Sequence, residues 1–511
     1  MHYHLIGICG TAMASLAGML QARGHKVTGS DQNVYPPMST QLSELGIEIM
    51  QGYKAENADV PRDITVVGNT IMRGNPELEE VLNRKMLYRS QAETVRDVFI
   101  RVGSADGALT DVRASATEDP ADKSVLTNVR ASATAGSAME ASAKKSLVVA
   151  GTHGKTTTTS IAAWVAEVGG LDPTFLVGGV VQNFGQSFRV TDSNYFIIEG
   201  DEYDTAFFDK KPKFMSYLPE IAIVNNIEFD HADIYKDIDA IKWQFSRLMN
   251  LVPGNGRLIC GIDSPVVVEV LEQMKGKLHT TIETFGLGGN AKWQARNIDF
   301  GSDKMRFTVF NDGERWGEFT TAMAGEFNVR NCLAVIIAAD AWGISKEKIQ
   351  EAFDSFLSVK RRMEVRGVES GVTVIDDFAH HPTAVDETLK ALRQKYSDGR
   401  LIAVFEPRSR SSRLSVFEEN YKKAFSHADS VIIAGVFNVE DAKTYGEVLD
   451  VNRLVSDIAA TGKEAMTLAD ADAIVEHLKP KLSEGDVVAI MSNGGFGGIH
   501  EKLLTALRPS L

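Results

Sequence analysis

Residues 146–157 read SLVVAGTHGKTT, and this stretch decides the fold of the region around it. The apolar run 146–150 predicts a buried strand, the glycine-containing segment after it predicts a tight loop, and residues 158–168 have the pattern of a helix. In this context the glycines let backbone N–H groups face phosphates, and the helix N-terminus adds positive potential. The motif is shorter than the usual G-x-x-x-x-G-K-S/T. The prediction of an ATP site therefore rests on its position between a buried strand and a helix. There Lys155 reaches the β- and γ-phosphates and Thr156 binds Mg2+.

The composition is that of a large globular protein. The 511 residues include 54 Lys and Arg against 68 Asp and Glu, a formal charge of -14, and 44% of them are hydrophobic. This length predicts three or four domains. The acidic balance argues against a general nucleic-acid binder, because phosphate backbones are bound by dense Lys and Arg surfaces. Cys9, Cys260 and Cys332 lie far apart, which excludes a disulfide framework and a cysteine-rich zinc site and fits a reducing compartment.

The amino-terminal residues carry no basic segment of the kind that begins an export signal, and they lead directly into a predicted strand. Nowhere do about 18 apolar residues follow one another, the length that a membrane span needs. We therefore expect a cytoplasmic protein without an export signal or a membrane span.

Short apolar runs alternate with amphipathic stretches of helix length, and this pattern predicts an α/β protein with mainly parallel sheets. We expect a Rossmann-like amino-terminal domain (residues 1–102), a central P-loop ATPase domain (146–358) and a Rossmann-like carboxy-terminal domain (359–511). Residues 103–145 are rich in Ala, Ser, Thr, Asp and Gly, and the hexapeptide VRASAT occurs twice in them. So little apolar surface predicts a flexible insertion.

The first strand, turn and helix resemble half of a dinucleotide-binding fold. Gly7 and Gly10 lie in the turn, Met13 stands where the G-x-G-x-x-G fingerprint has another glycine, and Asp31 ends the second strand. Two interpretations stay open, a tight turn without a ligand and a phosphate-binding turn. The missing glycine argues against a nicotinamide-dependent oxidoreductase.

Acidic and imidazole groups follow two predicted strands of the central domain. Glu199 follows the strand 195–198, and His231 lies shortly after the strand 221–224. Because the carboxyl ends of parallel strands converge on one crevice, both side chains are predicted to reach the same phosphates and their Mg2+, which prefers oxygen ligands. A solvated acidic turn and a structural histidine are the alternatives.

Five motifs occur in an order that resembles the ATP-dependent Mur ligases of bacterial cell-wall synthesis. They are GTHGKTT, NNIEFDH (225–231), GEFNVRN (325–331), KRRME (360–364) and DDFAHHPT (376–383). The resemblance covers the chain except for the Ala/Ser-rich insertion. Three more stretches are similar to the branch of the family that joins UDP-N-acetylmuramate to the recycled tripeptide L-alanyl-γ-D-glutamyl-meso-diaminopimelate. They are VYPPMST (34–40), EYDTAFFD (202–209) and MSNGGFGGIH (491–500).

The resemblance implies roles for individual residues, with ATP and two Mg2+ ions as the cofactors. The implied catalytic residues are Lys155, His231, Arg362 and His380. The implied ATP-binding residues are Gly151, Thr152, His153, Gly154, Lys155, Thr156, Thr157, Asn328, Asn331, Arg362 and Asp377, with the two asparagines near the adenine and Asp377 near the ribose. The implied metal ligands are Thr156 and Glu199 for one ion and His231 for the other. The implied UDP-sugar residues are Gly7, Gly10, Thr11, Met13 and Asp31.

The implied reaction activates the lactyl carboxylate of the muramoyl group as an acyl phosphate, which the amine of the peptide then attacks. No enzyme nucleophile is needed. The amine must lose a proton, and His380 is the candidate acceptor because it lies in the family loop that faces the amino substrate. His381, next to Pro382, is expected to be structural.

The tripeptide brings carboxylates that need cationic or N–H-rich partners. Candidates follow a predicted strand and occupy a glycine loop. Together with His380, the predicted peptide-binding residues are Arg408, Arg410, Ser492 and Asn493, and Arg413 is a further candidate. The alternative is a solvated loop of arginine and serine.

Two positions depart from the family pattern. Phe327 stands where many members have a histidine, which puts that contact near the adenine in doubt. Ser246 stands where several relatives carry a carbamylated lysine that binds metal, and Lys242 is the nearest lysine. We therefore assign no carbamylated residue.

Several functions remain open besides addition of the tripeptide. The nearest alternative is addition of L-alanine to UDP-N-acetylmuramate in the biosynthetic branch. A folylpolyglutamate synthetase-like enzyme would leave the Gly7 turn unexplained, and a nucleotide-regulated binding protein would leave the Lys155 constellation unused. The expected partners are small-molecule substrates, with no nucleic acid and no membrane, and the chain is expected to be a monomer or a weak oligomer.

Overall fold

The computed structural model of the chain describes residues 1–34, 38–101, 143–232, 234–301 and 303–508. The predicted insertion lies outside the described residues except for its last three, of which Lys145 already begins a strand. Three residues of the VYPPMST stretch, 35–37, also lie outside them. The described residues form three α/β domains in series, so the predicted fold class is confirmed.

The amino-terminal domain is a five-stranded parallel sheet in the order β3-β2-β1-β4-β5. Its strands are β1 (His2–Ile6), β2 (Lys26–Asp31), β3 (Glu48–Gln51), β4 (Ile64–Val67) and β5 (Tyr88–Ser90). Its helices are α1 (Thr11–Ala22), α2 (Met38–Glu44), α3 (Pro76–Asn83) and α4 (Gln91–Val95), with a 3-10 turn at Ala55–Asp59 and a π-helical turn at Arg96–Ile100. The strand order reverses at β1, and such a reversal is where open α/β sheets bind ligands. The turn that contains Gly7 and Gly10 follows β1 directly.

The central domain is a ten-stranded sheet in the order β17-β16-β15-β14-β13-β12-β6-β9-β7-β8, parallel in its middle and antiparallel at both edges. Its strands are β6 (Lys145–Ala150), β7 (Thr174–Val181), β8 (Gln186–Arg189), β9 (Tyr195–Glu199), β12 (Ile221–Val224), β13 (Arg257–Gly261), β14 (Thr281–Gly286), β15 (Trp293–Phe300), β16 (Met305–Asn311) and β17 (Glu314–Thr321). A separate hairpin joins β10 (Asp204–Ala206) to β11 (Asp209–Pro212). The helices are α5 (Lys155–Val168), α6 (Ile238–Leu251), α7 (Pro265–Gln273), α8 (Glu326–Ala341) and α9 (Lys346–Ser355), with a 3-10 turn at Lys213–Ser216.

The carboxy-terminal domain is a six-stranded sheet in the order β18-β19-β23-β20-β21-β22, antiparallel only between β18 and β19. Its strands are β18 (Glu364–Glu369), β19 (Val372–Asp377), β20 (Leu401–Phe405), β21 (Ser430–Ala434), β22 (Glu464–Leu468) and β23 (Val487–Met491). Its helices are α10 (Pro382–Lys395), α11 (Glu418–Ala424), α12 (Val439–Ala442), α13 (Val451–Ala459), α14 (Ala471–Leu478) and α15 (Ile499–Leu507), with 3-10 turns at Ser415–Phe417 and Phe496–Gly498. Every residue of β20, β21 and β23 is buried, as expected of strands that helices cover on both faces.

The predicted strands and helices are present, with ends that differ by a few residues. The helix predicted from residue 158 begins at Lys155, because Gly154 already adopts the left-handed backbone that ends the loop. The strand predicted over 372–375 continues to Asp377, whose carboxylate is buried and hydrogen-bonded rather than solvated. Among the described residues, no helix combines the length and apolarity needed to cross a bilayer.

The amino-terminal and central domains share one apolar core, and α1 forms much of the contact. At Gly18 an added Cβ would lie 2.2 Å from the Phe188 ring of β8. The Ser15 and Ser187 hydroxyls are 2.8 Å apart in the same contact. Small residues on this face of α1 therefore allow the hairpin of β7 and β8 to pack closely against the helix.

We predict that Gly18→Leu destabilises the protein by about 1–3 kcal/mol, because the new side chain must displace the Phe188 ring from a packed interface. Ala22→Leu on the same helix is the matched control, since residue 22 is exposed, and it should change stability by less than about 0.5 kcal/mol. Thermal and urea unfolding of both variants measure the difference. Equal stability of the two variants would contradict the close packing at Gly18.

Candidate active site

A cleft of 2720 Å³ lies where the three domains meet. Its wall includes the loop that precedes α5, the ends of β9 and β12, the first turn of α8 and the junction between the second and third domains. The carboxyl ends of the central parallel strands open into it, as the sequence predicts. The amino-terminal domain contributes Thr11 to the same wall.

The loop between β6 and α5 has little room for side chains. Gly154 has a φ of 81°, and a Cβ there would lie 2.7 Å from the Asn331 Oδ1 atom. Gly151 has a φ of 135° and lies against the backbone nitrogens of residues 225 and 226. Glycine is therefore required at both positions.

The two asparagines predicted near the adenine, Asn328 and Asn331, are hydrogen-bonded to each other and to the first turn of the helix that follows this loop. The Thr158 hydroxyl donates to Asn331 Oδ1 at 3.0 Å, and Asn331 in turn donates to Asn328 Oδ1 at 3.1 Å. Asn328 also donates to the Ala324 carbonyl at 2.7 Å. Both asparagines are buried and line the cleft, and these bonds tie the first turn of α8 to the start of α5.

Lys155 is held by a carboxylate that sequence reasoning did not select. Its ammonium group lies 2.8 Å from Glu202 Oε2 and also donates to the Gly151 carbonyl at 2.8 Å. The His231 Nε2 atom lies 3.1 Å from the other oxygen of Glu202. Glu202 belongs to the EYDTAFFD stretch, but its pairing with a lysine 47 residues away leaves no local pattern in the sequence.

These contacts shift the pKa values of Glu202 and His231. Burial opposes ionisation of Glu202, but the charges and hydrogen bonds of Lys155 and His231 outweigh it and lower the pKa of this carboxyl to about 2. Burial likewise opposes the charge on His231, but Glu202 and Asp230 raise the pKa of the imidazole to about 9. In this arrangement His231 is an imidazolium paired with Glu202, so a metal ion at its Nε2 atom would first have to displace that proton.

Thr156 and Glu199, the other predicted metal ligands, are in direct contact. The Thr156 hydroxyl donates to Glu199 Oε1 at 2.8 Å, and the Gly178 N–H donates to the other oxygen at 2.7 Å. Burial and the nearby Asp201 raise the pKa of Glu199. One Arg362 nitrogen, from the junction between the second and third domains, lies 3.3 Å from the Thr156 hydroxyl. The oxygen atoms of this pair are donors of the kind that Mg2+ prefers.

Asp377 lies at the same junction, and its oxygens are engaged by main-chain groups. Met363 N–H donates to Oδ2 and Ala379 N–H donates to Oδ1, each at 2.7 Å. Burial raises the pKa of this carboxyl against the opposing charge of Arg362. Asp377 lines the cleft and joins the junction segment to the end of β19.

His380 and His381 differ in their surroundings. His380 lines the cleft with Nδ1 3.0 Å from the Phe378 carbonyl, and burial lowers the pKa of its imidazole. A neutral ring whose Nδ1 proton is held by a carbonyl leaves Nε2 free to accept a proton. His381 caps α10, where its Nδ1 accepts the Thr383 N–H at 3.3 Å. This cap is the structural role expected for His381.

The predicted UDP-sugar residues lie together at the end of β1. Asp31 accepts the Cys9 N–H at 2.9 Å and the Tyr53 hydroxyl at 3.3 Å, and so holds the glycine turn against β2. Met13 is buried beneath the turn. Of the five residues predicted there, Thr11 alone lines the cleft, so Gly7, Gly10, Met13 and Asp31 shape the turn from outside the cleft wall.

The predicted peptide-binding residues divide into two groups. Arg410 and Asn493 line the cleft, and the Arg410 guanidinium lies 5.0 Å from the Tyr445 ring. Arg408 and Ser492 do not line it. The Arg408 guanidinium lies 3.8 Å from the centroid of the Phe437 ring. The side chains of Arg408 and Ser492 both contact the Glu406 carboxylate.

Arg413, the further candidate for the peptide, is wrong as a cleft residue. It is buried in the carboxy-terminal domain, where it pairs with Asp441 at 2.7 Å and donates to the Phe437 and Asn438 carbonyls. Its charge is neutralised within that domain, and it does not line the cleft. The alternation of arginine and serine in this loop gives no sign of which arginines turn inward.

Comparison with known proteins gives matches along the whole chain. Three family models match in order: the Mur ligase family catalytic domain at residues 2–100, the Mur ligase middle domain at 149–339 and the Mur ligase glutamate ligase domain at 361–494. The chain is 39% identical over 508 residues to the UDP-N-acetylmuramate--L-alanyl-gamma-D-glutamyl-meso-2,6-diaminoheptandioate ligase of Escherichia coli (strain K12), covering 99% of this chain and 98% of that protein. It is 30% identical over 506 residues to the UDP-N-acetylmuramate--L-alanine ligase of Geobacter sp. (strain M21), covering 99% and 97%. A solved murein peptide ligase from Psychrobacter arcticus 273-4 superimposes with a TM-score of 0.69 at 32% identity, covering 100% of this chain and 99% of that one.

We predict that Glu202→Gln lowers the pKa of His231 from about 9 toward its ordinary value of 6.5, because it removes the negative charge that stabilises the imidazolium. Since the folded-state pKa is raised, the stabilisation from this pair is complete below pH 6.5 and is lost as the pH rises through about 9. NMR titration of histidine-labelled protein measures the change. Glu269→Gln, at an exposed carboxylate paired with Lys242, is the control and should leave His231 unaltered. A His231 resonance that titrates near 6.5 in the unmodified protein would contradict the pairing.

Proposed function

The chain belongs to the Mur ligase family, and from that membership we propose that it joins UDP-N-acetylmuramate to L-alanyl-γ-D-glutamyl-meso-diaminopimelate at the expense of ATP, in the recycling of peptidoglycan. The observation that carries this proposal is the 39% identity over the whole chain to a ligase named for these two substrates. The cleft between the three domains supports it, because residues predicted for ATP, for metal and for peptide line one continuous wall.

ATP and Mg2+ fit the groups that the cleft presents. Lys155 and the glycine loop would hold the phosphates, while Thr156 and Glu199 would hold one Mg2+ through oxygen atoms that already lie in contact. A second ion at His231 is part of the proposal and requires that the Glu202 hydrogen bond to Nε2 be given up. Bound Mg2+ supplies positive charge that offsets the charge of the phosphates.

The first chemical step transfers the γ-phosphoryl group of ATP to the lactyl carboxylate of UDP-N-acetylmuramate and releases ADP. Lys155 lies beside Thr156 in the chain and Arg362 contacts the Thr156 hydroxyl from the domain junction, so that both charges would stabilise the transferring group. Because the step needs positioning and charge neutralisation rather than a protein nucleophile, the lack of an assigned serine or cysteine nucleophile is expected.

In the second step the amine of the tripeptide attacks the acyl phosphate and expels phosphate. His380 is positioned to accept the proton of the amine, because its imidazole is neutral and lines the cleft. Arg410 and Asn493 are the residues that we propose for the carboxylate and amide groups of the peptide, since both line the wall formed by the carboxy-terminal domain. Enclosure by three domains would keep water from the acyl phosphate.

The alternative is addition of L-alanine, the amine in the name of the relative that is 30% identical over the whole chain. The folylpolyglutamate synthetase-like and nicotinamide-dependent interpretations lose their basis, because the family match includes the amino-terminal unit at residues 2–100. The proposed partners are small molecules, with no nucleic acid and no membrane, and a net charge of -14 agrees with the absence of nucleic acid. The proposed state of the chain is a monomer or a weak oligomer.

We predict that phosphate release from ATP, measured with UDP-N-acetylmuramate present, is driven by the tripeptide and far less by free L-alanine. The reason is that the carboxylates of the longer amine meet polar groups of the carboxy-terminal domain that alanine cannot reach. A coupled phosphate assay with tripeptide, L-alanine or no amine measures the difference. Release driven only by L-alanine would move the protein to the biosynthetic branch.

The same assay has a matched pair of lysine variants. Lys155→Ala should lower turnover by about 100-fold or more, because it removes a charge at the transferring phosphoryl group. Lys211→Ala removes an exposed lysine outside the cleft wall and should leave turnover unchanged. Silence with every amine in the unmodified protein would instead indicate a nucleotide-binding protein without ligase activity.

A further inference from the structure

We propose that His153, Glu228 and His381 form a binding site for one divalent transition-metal ion of the Zn2+ class, where the central domain meets the carboxy-terminal domain. One ligand atom from each residue lies within 4.8 Å of the other two. The site includes His153 of the loop proposed for ATP and lies in the same cleft, but it shares no residue with Thr156 and Glu199, the pair proposed for Mg2+.

The three ligand atoms, one from each residue, already lie close to one another. Glu228 Oε2 lies 3.3 Å from His153 Nε2 and 3.8 Å from His381 Nδ1. The two imidazole rings are 4.7 Å apart between centroids. Ligands of a tetrahedral zinc ion at about 2.0–2.1 Å are themselves about 3.3 Å apart. Side-chain rotations that bring these separations to about 3.3 Å would place all three atoms around one ion.

Hydrogen bonds around the triangle orient the ligands as they do in metal sites. His381 Nε2 lies 3.2 Å from the Phe229 carbonyl, a contact that needs a proton on Nε2 and so leaves Nδ1 unprotonated toward Glu228. A ligating histidine usually donates its other N–H to a carbonyl in this way. The Thr383 hydroxyl donates to Glu228 Oε2 at 2.6 Å and fixes the carboxylate. The ion would displace the longer, 3.3 Å bond from Thr383 N–H to Nδ1.

The protonation of the ligands at neutral pH agrees with this geometry. Burial lowers the pKa of His381 to about 4, so its imidazole is neutral. Burial opposes ionisation of Glu228, but hydrogen bonds from His153 and Thr383 lower the pKa of this carboxyl to about 2. Glu228 and His381 therefore offer lone pairs directly, whereas His153 Nε2, which donates to Glu228, gives up that proton when an ion binds.

The donor set selects the class of metal. Two imidazoles with one carboxylate suit Zn2+ and its neighbours, whereas Mg2+ prefers oxygen ligands throughout. Three protein ligands leave a fourth position for water. His153 and Glu228 belong to the central domain and His381 to the carboxy-terminal domain, so a bound ion would link the two domains in the arrangement described above.

The test is a titration of the full-length protein, freed of metal by a chelator, with Co2+ in the presence of excess Mg2+. Tetrahedral Co2+ gives a visible absorption band that Zn2+ abolishes when it displaces the ion. We expect one Co2+ per chain, with affinity at least about tenfold lower in His381→Asn and Glu228→Gln. Asparagine is itself a preferred N-cap, so the first variant keeps the cap of α10, and glutamine keeps an acceptor for Thr383.

Two controls make the result decisive. His427→Asn removes a partly exposed imidazole from the carboxy-terminal domain and should leave Co2+ binding unchanged. Glu199→Gln removes the proposed Mg2+ ligand and should also leave it unchanged. The absence of a tetrahedral band, an undiminished affinity in both ligand variants, or a loss in Glu199→Gln instead would each overturn the proposal. Circular dichroism of each variant establishes that it is folded, and if His381→Asn is not, the Glu228→Gln titration decides.

Discussion

The ion pair between Lys155 and Glu202 is the interaction on which the geometry of the cleft depends. Both side chains are largely removed from water, and such a pair is stable only when its remaining hydrogen-bonding capacity is used. The Gly151 carbonyl takes up part of the capacity of the ammonium group, and His231 occupies the second oxygen of the carboxylate. Loss of one partner of such a pair costs about 3–5 kcal/mol, because the other charge is left buried. On the proposed function, phosphates that enter the loop would compete with Glu202 for this ammonium group.

The three domains are joined to one another by different kinds of contact. The amino-terminal domain is joined to the central one through a common apolar core, in which Phe188 covers the small face of α1. The carboxy-terminal domain meets it through polar groups, with Arg362 beside Thr156 and Thr383 beside Glu228, and through the Phe229 ring, which packs against its core. Apolar contacts of the first kind hold two domains as a unit, whereas polar contacts of the second kind are more easily exchanged for water. Opening and closing is thus expected between the second and third domains, at the junction that Asp377 binds through Met363 N–H.

Much of the fold and part of the site can be predicted from the sequence, because they depend on local patterns of apolar residues and glycines. Buried strands such as Leu401–Phe405 are continuous apolar runs, and the loop before α5 is marked by glycines that no other residue could replace. The order of strands in the sheets and the pairing of Lys155 with Glu202 depend on contacts between distant segments, which leave no periodic pattern. The inward turn of Arg413 likewise depends on a distant segment, because its partner Asp441 lies in the short helix α12. Family resemblance alone points to Asn328 and Asn331, and their hydrogen bonds to each other and to Thr158 add a supporting role that resemblance does not supply.

Transfer of oxygen from substrate to phosphate tests most directly whether the carboxylate is activated as an acyl phosphate. UDP-N-acetylmuramate labelled with 18O in the lactyl carboxylate would be turned over with ATP and the tripeptide, and the released phosphate analysed by mass spectrometry. One 18O atom per phosphate is expected, because the oxygen that attacks the phosphoryl group leaves with it when the amide forms. Unlabelled phosphate accompanied by amide product would exclude the acyl phosphate, since the carboxylate would then have been activated by another route.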